Sequence, residues 1–278
     1  MSSSGSQFRA ALEIEKPLQI AGCINAYGAL LAKSAGFKAI YLSGAGVANH
    51  SLGIPDIGDT TLTDVLTDVH RITDRVKLPL LVDIDTGWDD PAEAVHKIGL
   101  AGAAAAHMED QIPEKLCGHL PGKKLVPIAV MVERLKAAVS GKPYNDFVVM
   151  ARTDAASVEG VLAAIERAQA YVSAGADMVF AEALGTLNAY RKFVAAVKVP
   201  VLANLTEFGK TPYFTVEELR SAGIAMALYP LSASRAAAAA SLEVYRAIRS
   251  DGTQRNVVGK MQTREQLYQV LGYTPLRK

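Results

Sequence analysis

The sequence predicts one α/β domain, a closed (β/α)8 barrel of the TIM type with extra helices at its C-terminus. Three observations predict it. Eight short, continuously apolar runs alternate with eight stretches whose apolar residues fall at i, i+3, i+4 and i+7. That is the pattern of a parallel sheet buried on both faces and covered by helices. The dipeptide Ala-Gly recurs at Ala35-Gly36, Ala101-Gly102, Ala174-Gly175 and Ala222-Gly223, each time just before an apolar run. A glycine there suits the left-handed end of a helix that turns back into a strand. Finally, 278 residues hold eight βα units with no linker to divide them, and eight such units most simply close on themselves. An open doubly wound sheet ranks second, because the first βα turn lacks a GxGxxG fingerprint.

In chain order, residues 1–7 read as a flexible Ser/Gly tail and residues 8–278 as the barrel with its helical extension. Strands are expected at Leu18–Asn25, Ala39–Gly44, Leu78–Asp85, Ala103–Glu109, Phe147–Asp154, Met178–Ala183, Val199–Asn204 and Ile224–Tyr229. Helices are expected at Ala26–Ala35, Thr61–Val76, Pro91–Ala101, Pro127–Ser140, Val158–Ala174, Leu187–Val197, Thr215–Ala222 and Leu231–Ser250. One more short helix is expected over Thr263–Gly272, beyond the barrel.

Composition narrows the function. A formal net charge of +1, with both signs interspersed, argues against nucleic acid as the main partner. The two cysteines, Cys23 and Cys117, make a disulfide framework improbable and suit a reducing compartment. The N-terminus lacks the charged start and apolar stretch of a signal peptide. No apolar run approaches the ~20 residues that span a bilayer. The expectation is a soluble, cytoplasmic protein with no membrane partner.

In a barrel, chemistry gathers at the C-terminal ends of the strands. Those ends here carry Tyr41 and Ser43-Gly44, Asp83 and Asp85, Glu109, Arg152, Glu182 and Asn204. Alternation along a strand places Asp83 and Asp85 on one face. Should they converge with Glu109, protons or a metal must neutralise them. An all-oxygen set suits Mg²⁺ or Mn²⁺ rather than Zn²⁺, which favours His and Cys at ligand spacing. Arg152 and Lys115 then face the anionic parts of a substrate. The small-residue loop Ser43-Gly44-Ala45-Gly46 offers backbone N–H groups to a carboxylate, and Asp56 lies in the same long connection. After Glu109 the chain breaks into a loop with Lys115, Cys117 and His119 within five residues. Cationic neighbours lower a thiol pKa, so Cys117 is a candidate acid/base.

At these residues the sequence resembles the isocitrate lyase / phosphoenolpyruvate mutase superfamily. The resemblance spans Phe8 to Arg264 and is carried by Lys115-Leu116-Cys117-Gly118-His119, which looks like the superfamily lyases' Lys-(Lys/Arg)-Cys-Gly-His lid signature. Tyr41-Leu42-Ser43-Gly44, Asp83-Ile84-Asp85-Thr86-Gly87, Met150-Ala151-Arg152-Thr153-Asp154 and Leu202-Ala203-Asn204-Leu205-Thr206 add to it. It implies that Asp85 binds Mg²⁺ most directly while Asp83 and Glu109 hold its waters. Ser43, Gly44, Ala45, Asp56, Gly118, His119, Arg152, Glu182, Asn204 and Thr206 would bind a tricarboxylate substrate. Cys117 would be the acid/base, supported by Lys115 and His119. The base that takes the substrate proton stays open among Tyr41, a carboxylate and a water on the metal.

Phe180 and Leu228 match positions that leave room for an extra methyl. They favour the branch that cleaves 2-methylisocitrate to pyruvate and succinate in propionate catabolism. The other readings are cleavage or hydrolysis of 2,3-dimethylmalate, isocitrate or oxaloacetate, or a non-catalytic dicarboxylate-binding barrel. The resemblance further implies a homotetramer with exchanged C-terminal helices. Three residues depart from the pattern: Ala45 in place of Gly, Leu116 in place of a basic residue, and Trp88 in place of a smaller one.

Overall fold

The computed structural model describes residues 3–114 and 122–274. The chain enters through helix α1 (Ser4–Ile14). Among the described residues, eight strands then follow: β1 (Leu18–Gly22), β2 (Ala39–Leu42), β3 (Leu80–Asp83), β4 (Ala105–Glu109), β5 (Val148–Thr153), β6 (Met178–Ala181), β7 (Val201–Asn204) and β8 (Met226–Tyr229). All pair in parallel in sequence order, and β8 closes on β1 with Leu18 opposite Met226 and Ile20 opposite Leu228. The predicted barrel is the fold.

Between the strands run α2 (Ala26–Ser34), the single turn α3 (Gly44–Gly46), α4 (Leu62–Thr73), α5 (Pro91–Leu100), α6 (Ile128–Ser140), α7 (Val161–Ser173), α8 (Leu187–Val197) and α9 (Val216–Ser221). After β8 come α10 (Ser232–Asp251) and α11 (Arg264–Leu271). Local chemistry sets several of these starts. Thr61 with Asp64, Thr215 with Glu218 and Thr263 with Gln266 form reciprocal capping boxes, and Asp90 caps α5 ahead of Pro91. Strand β1 is shorter than expected because Asn25 leaves it: its side chain accepts the Gly28 N–H at 2.8 Å and caps α2.

Two layers of core result. Inside the barrel, Leu18, Ile20, Leu81, Val148, Met150, Met178, Leu202 and Met226 pack on one another and on Phe8 and Leu12 of α1. Outside it, the other face of the strands meets the helices in two further clusters. Helix α1 corrects the expectation of a flexible tail over residues 1–7, since Ser4–Gln7 are helical. Ser3 caps the helix by accepting the Ser6 N–H, and Gly5 lies so close to the Asp146 carbonyl that a Cβ would sit 2.2 Å from its oxygen. Arg9 pairs with Asp177 at 2.7 Å. Complete burial of Phe8 in the floor of the barrel contributes about 1.5–3 kcal/mol toward the cost of ordering this segment.

Helix α10 is the opposite case. Of its 20 residues only Ser234 is buried. Leu242, Tyr245 and Ile248 are exposed, while α11 sits near α2, where Tyr27 Oη donates to Gln262 Oε1 at 2.5 Å. No helix among the described residues is long and apolar enough to cross a membrane.

Candidate active site

Strand alternation brings the candidate residues to one mouth. Tyr41 on β2, Arg152 on β5 and Asn204 on β7 follow inward-facing core residues two positions earlier, as do Asp83 at the end of β3 and Glu182 just after β6, while Glu109 on β4 follows the buried His107 in the same way. All six are buried. Phe180 and Leu228 lie one layer deeper and line the barrel interior. Ser43 and Thr206 are also buried, whereas Ala45 in α3 and Asp56 in the connection after it are half-buried. Lys115, Cys117, Gly118 and His119 lie outside the described residues.

Asp83 is held from three sides. Its Oδ2 accepts the Gly44 N–H at 3.1 Å and the Tyr41 hydroxyl at 3.3 Å, and its Oδ1 accepts the Asp85 N–H at 3.0 Å. Asp85 stands beyond the end of β3 with φ +50°, so a break into the left-handed region, rather than strand alternation, presents its carboxylate. Thr60 Oγ1 donates to Asp85 Oδ2 at 3.1 Å, and the Trp88 indole N–H donates to the Thr60 carbonyl at 2.8 Å.

Glu109 is directed differently from its expected place beside the two aspartates. Its Oε2 lies 3.2 Å from Arg152 Nη2, and its Oε1 accepts from Gln111 Nε2 at 3.2 Å. Among the described residues, no three His, Cys, Asp or Glu side chains converge to hold a metal by themselves. The donor set still fits a hard cation that keeps much of its water, because every donor is a carboxylate oxygen. Gly44 preserves the space for it: a Cβ there would lie 2.8 Å from Asp85 Oδ1 and 3.2 Å from Asp83 Oδ2.

Arg152 is the hub of the mouth. Its Nε donates to Asp154 Oδ2 at 3.0 Å, while its Nη2 lies 3.2 Å from Glu109 and 3.3 Å from Glu182. Burial works against its charge, but Asp154, Glu109 and Glu182 outweigh that, so the guanidinium stays cationic. Its carbon also stands 5.1 Å over the Phe180 ring. Asn204 donates to Glu182 Oε2 at 3.2 Å and fixes the far edge.

His107, Thr60, Asp154 and Lys123 were absent from the predicted set. His107 is fully buried, with Nε2 at 2.9 Å from the Tyr41 hydroxyl and its ring tilted against Phe180. The period-two spacing from His107 to Glu109 was the one signal for it. Burial, and secondarily the Asp83 carboxylate, push the Tyr41 phenol well above its ordinary range, so it holds its proton and acts as a donor.

Comparison with known proteins gives a consistent set of likenesses. The model of the phosphoenolpyruvate phosphomutase family matches residues 8–249. A 2-methylisocitrate lyase of Escherichia coli (strain K12) is 58% identical over 275 residues, covering 98% of this chain and 93% of that protein. A crystal structure of 2,3-dimethylmalate lyase superposes with a TM-score of 0.90 at 33% identity, covering 98% of this chain and 92% of that one. A phosphonopyruvate hydrolase in complex with oxalate and Mg²⁺ gives 0.83 at 29% identity, covering 98% and 95%.

Proposed function

The chain belongs to the phosphoenolpyruvate mutase / isocitrate lyase family and is a carbon–carbon lyase; from that premise we propose that it cleaves 2-methylisocitrate to pyruvate and succinate. The observation that carries this reading is the pairing, at one mouth, of a carboxylate set for a hard cation with a buried arginine that stays charged. A 2-hydroxy polycarboxylate needs both. Asp85 would hold Mg²⁺, with Asp83 and Glu109 as outer partners, and Mn²⁺ would be the alternative ion. The bound ion supplies the Lewis-acid charge that favours loss of the hydroxyl proton.

The residues of the chain do the rest. Arg152 and the N–H groups of the Ser43–Ala45 turn bind substrate carboxylates, with Asn204 and Thr206 at the far edge and Phe180 and Leu228 shaping the floor. Tyr41 donates a hydrogen bond at the reacting end. The hydroxyl proton passes to a base at the mouth, a site carboxylate or a water, and the oxygen it leaves becomes the carbonyl of pyruvate as the C–C bond breaks. The bonding electron pair passes to the carbon that becomes succinate, and Cys117 Sγ delivers a proton there. Lys115 and His119 support that thiol. The enzyme acts in the cytoplasm.

Assembly belongs to the same proposal. A cavity of about 640 Å³ beside the start of α10 is lined by Cys23, Leu31, Ala32, Phe37, Tyr229 and Ala237. The exposed apolar residues of α10 suit such a surface on a second copy, and exchange of C-terminal helices within a homotetramer satisfies both.

The deciding assay follows pyruvate from 2-methylisocitrate and glyoxylate from isocitrate, each with Mg²⁺ and with EDTA. Metal-dependent pyruvate at much the higher kcat/KM is expected. Pyruvate with propionate from 2,3-dimethylmalate, or oxalate with acetate from oxaloacetate, at higher kcat/KM would replace the reading. Cys117→Ser is expected to retain substrate binding and lose most turnover; an unchanged kcat removes the thiol from the reaction.

A further inference from the structure

Beneath the substrate-facing side of Arg152 lies a second ion pair that the proposed chemistry does not use. Lys123 Nζ donates to Asp154 Oδ1 at 2.7 Å, and the two side chains are 1% and 0% exposed. Asp154 is anchored from behind, since its N–H donates to Asp110 Oδ1 at 2.9 Å. Asp110 is itself fully buried and accepts from Thr153 and Tyr171. Asp154 therefore has little freedom to move, and what its two oxygens hold decides how Arg152 is presented.

The distances show how that hold is divided. Arg152 Nε is bound to Asp154 Oδ2 at 3.0 Å. Its Nη2 is shared among three acceptors at similar, long distances: Asp154 Oδ1 at 3.3 Å, Glu109 at 3.2 Å and Glu182 at 3.3 Å. The short contact to Asp154 Oδ1 belongs to Lys123 instead. A carboxylate and a guanidinium left alone favour two parallel hydrogen bonds. Here both contacts are made, but Lys123 holds Oδ1 at 2.7 Å, and the second Arg152 contact to it is left long at 3.3 Å, with Nη2 shared toward the mouth.

We propose that Lys123 is a positioning residue: by taking the short contact to Asp154 Oδ1 it keeps the second Asp154–Arg152 contact long and leaves Arg152 Nη2 available to a substrate carboxylate. Its charge also offsets one of the three carboxylates that surround Arg152, which an incoming anion would otherwise meet. Lys123 touches no reacting atom. It acts through Asp154.

The inference rests in part on the proposed reaction, so two readouts are needed. In the first, Lys123→Met raises KM for 2-methylisocitrate about 10–100-fold, the size expected when one hydrogen bond to a charged group is disturbed, with a smaller change in kcat. Lys123→Arg restores most of the loss, and Asp154→Asn added to Lys123→Met recovers part of it by removing the unbalanced charge. A purely structural lysine would lower the melting temperature and leave KM alone, and an unchanged KM overturns the inference. The second readout needs no substrate. In a crystal structure of Lys123→Met, or of the milder Lys123→Gln, Arg152 Nη2 closes on Asp154 Oδ1 and leaves Glu109 and Glu182. A guanidinium that stays in place refutes the positioning role, even should 2-methylisocitrate prove not to be the substrate.

Discussion

Gly44→Ala tests the metal cradle with a single methyl group. The Gly44 N–H anchors Asp83, and its missing Cβ leaves room for the tip of Asp85. A methyl there would sit 2.8 Å from Asp85 Oδ1, where ordinary contact begins at 3.4 Å, so the oxygen must retreat by about 0.6 Å. It has little room to do so. The other oxygen of Asp85 is held by Thr60 at 3.1 Å, and its backbone is committed to φ +50°. Mg²⁺ demands near-octahedral geometry at about 2.0–2.1 Å, and a first ligand works only within about 0.5 Å of its place. Mg²⁺ affinity should therefore fall about 10–100-fold, against a global cost of about 1–3 kcal/mol for overpacking. Calorimetric titration of the metal-free protein with MgCl₂, alongside thermal unfolding in EDTA, separates the two effects. A folded variant with unchanged Mg²⁺ affinity refutes the assignment of this cradle.

Three further outcomes are expected. Asp110→Ala strips the acceptor from the Asp154 N–H, Thr153 and Tyr171, all in the buried interior; at about 1–3 kcal/mol per orphaned donor it should lower the melting temperature by many degrees, and an unshifted melt rejects the network. Burial pushes the Cys23 thiol from 9.0 up to about 12. The unfolded thiol then ionises first, so this contribution to stability is intact below pH 9 and declines as pH rises toward 12. Urea unfolding of the wild type and Cys23→Ala across that range should show a shallower decline in the variant, and equal slopes contradict the burial. Light scattering should give a multiple of the 29.5 kDa chain mass, with melting temperature rising with concentration; a monomer at all concentrations sinks the exchange of helices.

Much of this architecture was legible in the sequence because a strand buried on both faces leaves an unbroken apolar run. The eight runs gave the barrel, and the residues at their C-terminal ends gave the rim that carries Tyr41, Arg152 and Asn204. What stayed hidden has physical causes. Helix α1 begins in a Ser/Gly stretch with little apolar content, and long-range contacts of Phe8, Leu12, Gly5 and the Arg9–Asp177 pair fix it there. Asp85 shares a face with Asp83 only if the strand continues, and it stops at Asp83. Glu109 looked like a partner of the aspartates alone, yet the guanidinium on the adjacent strand also holds it, at 3.2 Å. Thr60 and Lys123 act through contacts to residues 25 and 31 positions away, and no local pattern marks such pairs.

Trp88, one of the departures from the family pattern, gives the protein an optical property. It is the sole tryptophan of the chain. Its indole is hydrogen-bonded to Thr60, whose hydroxyl holds Asp85. All indole fluorescence thus originates two hydrogen bonds from the carboxylate assigned to the cation. Emission intensity and wavelength can follow events at that rim in real time, with no dye attached and no background from a second indole.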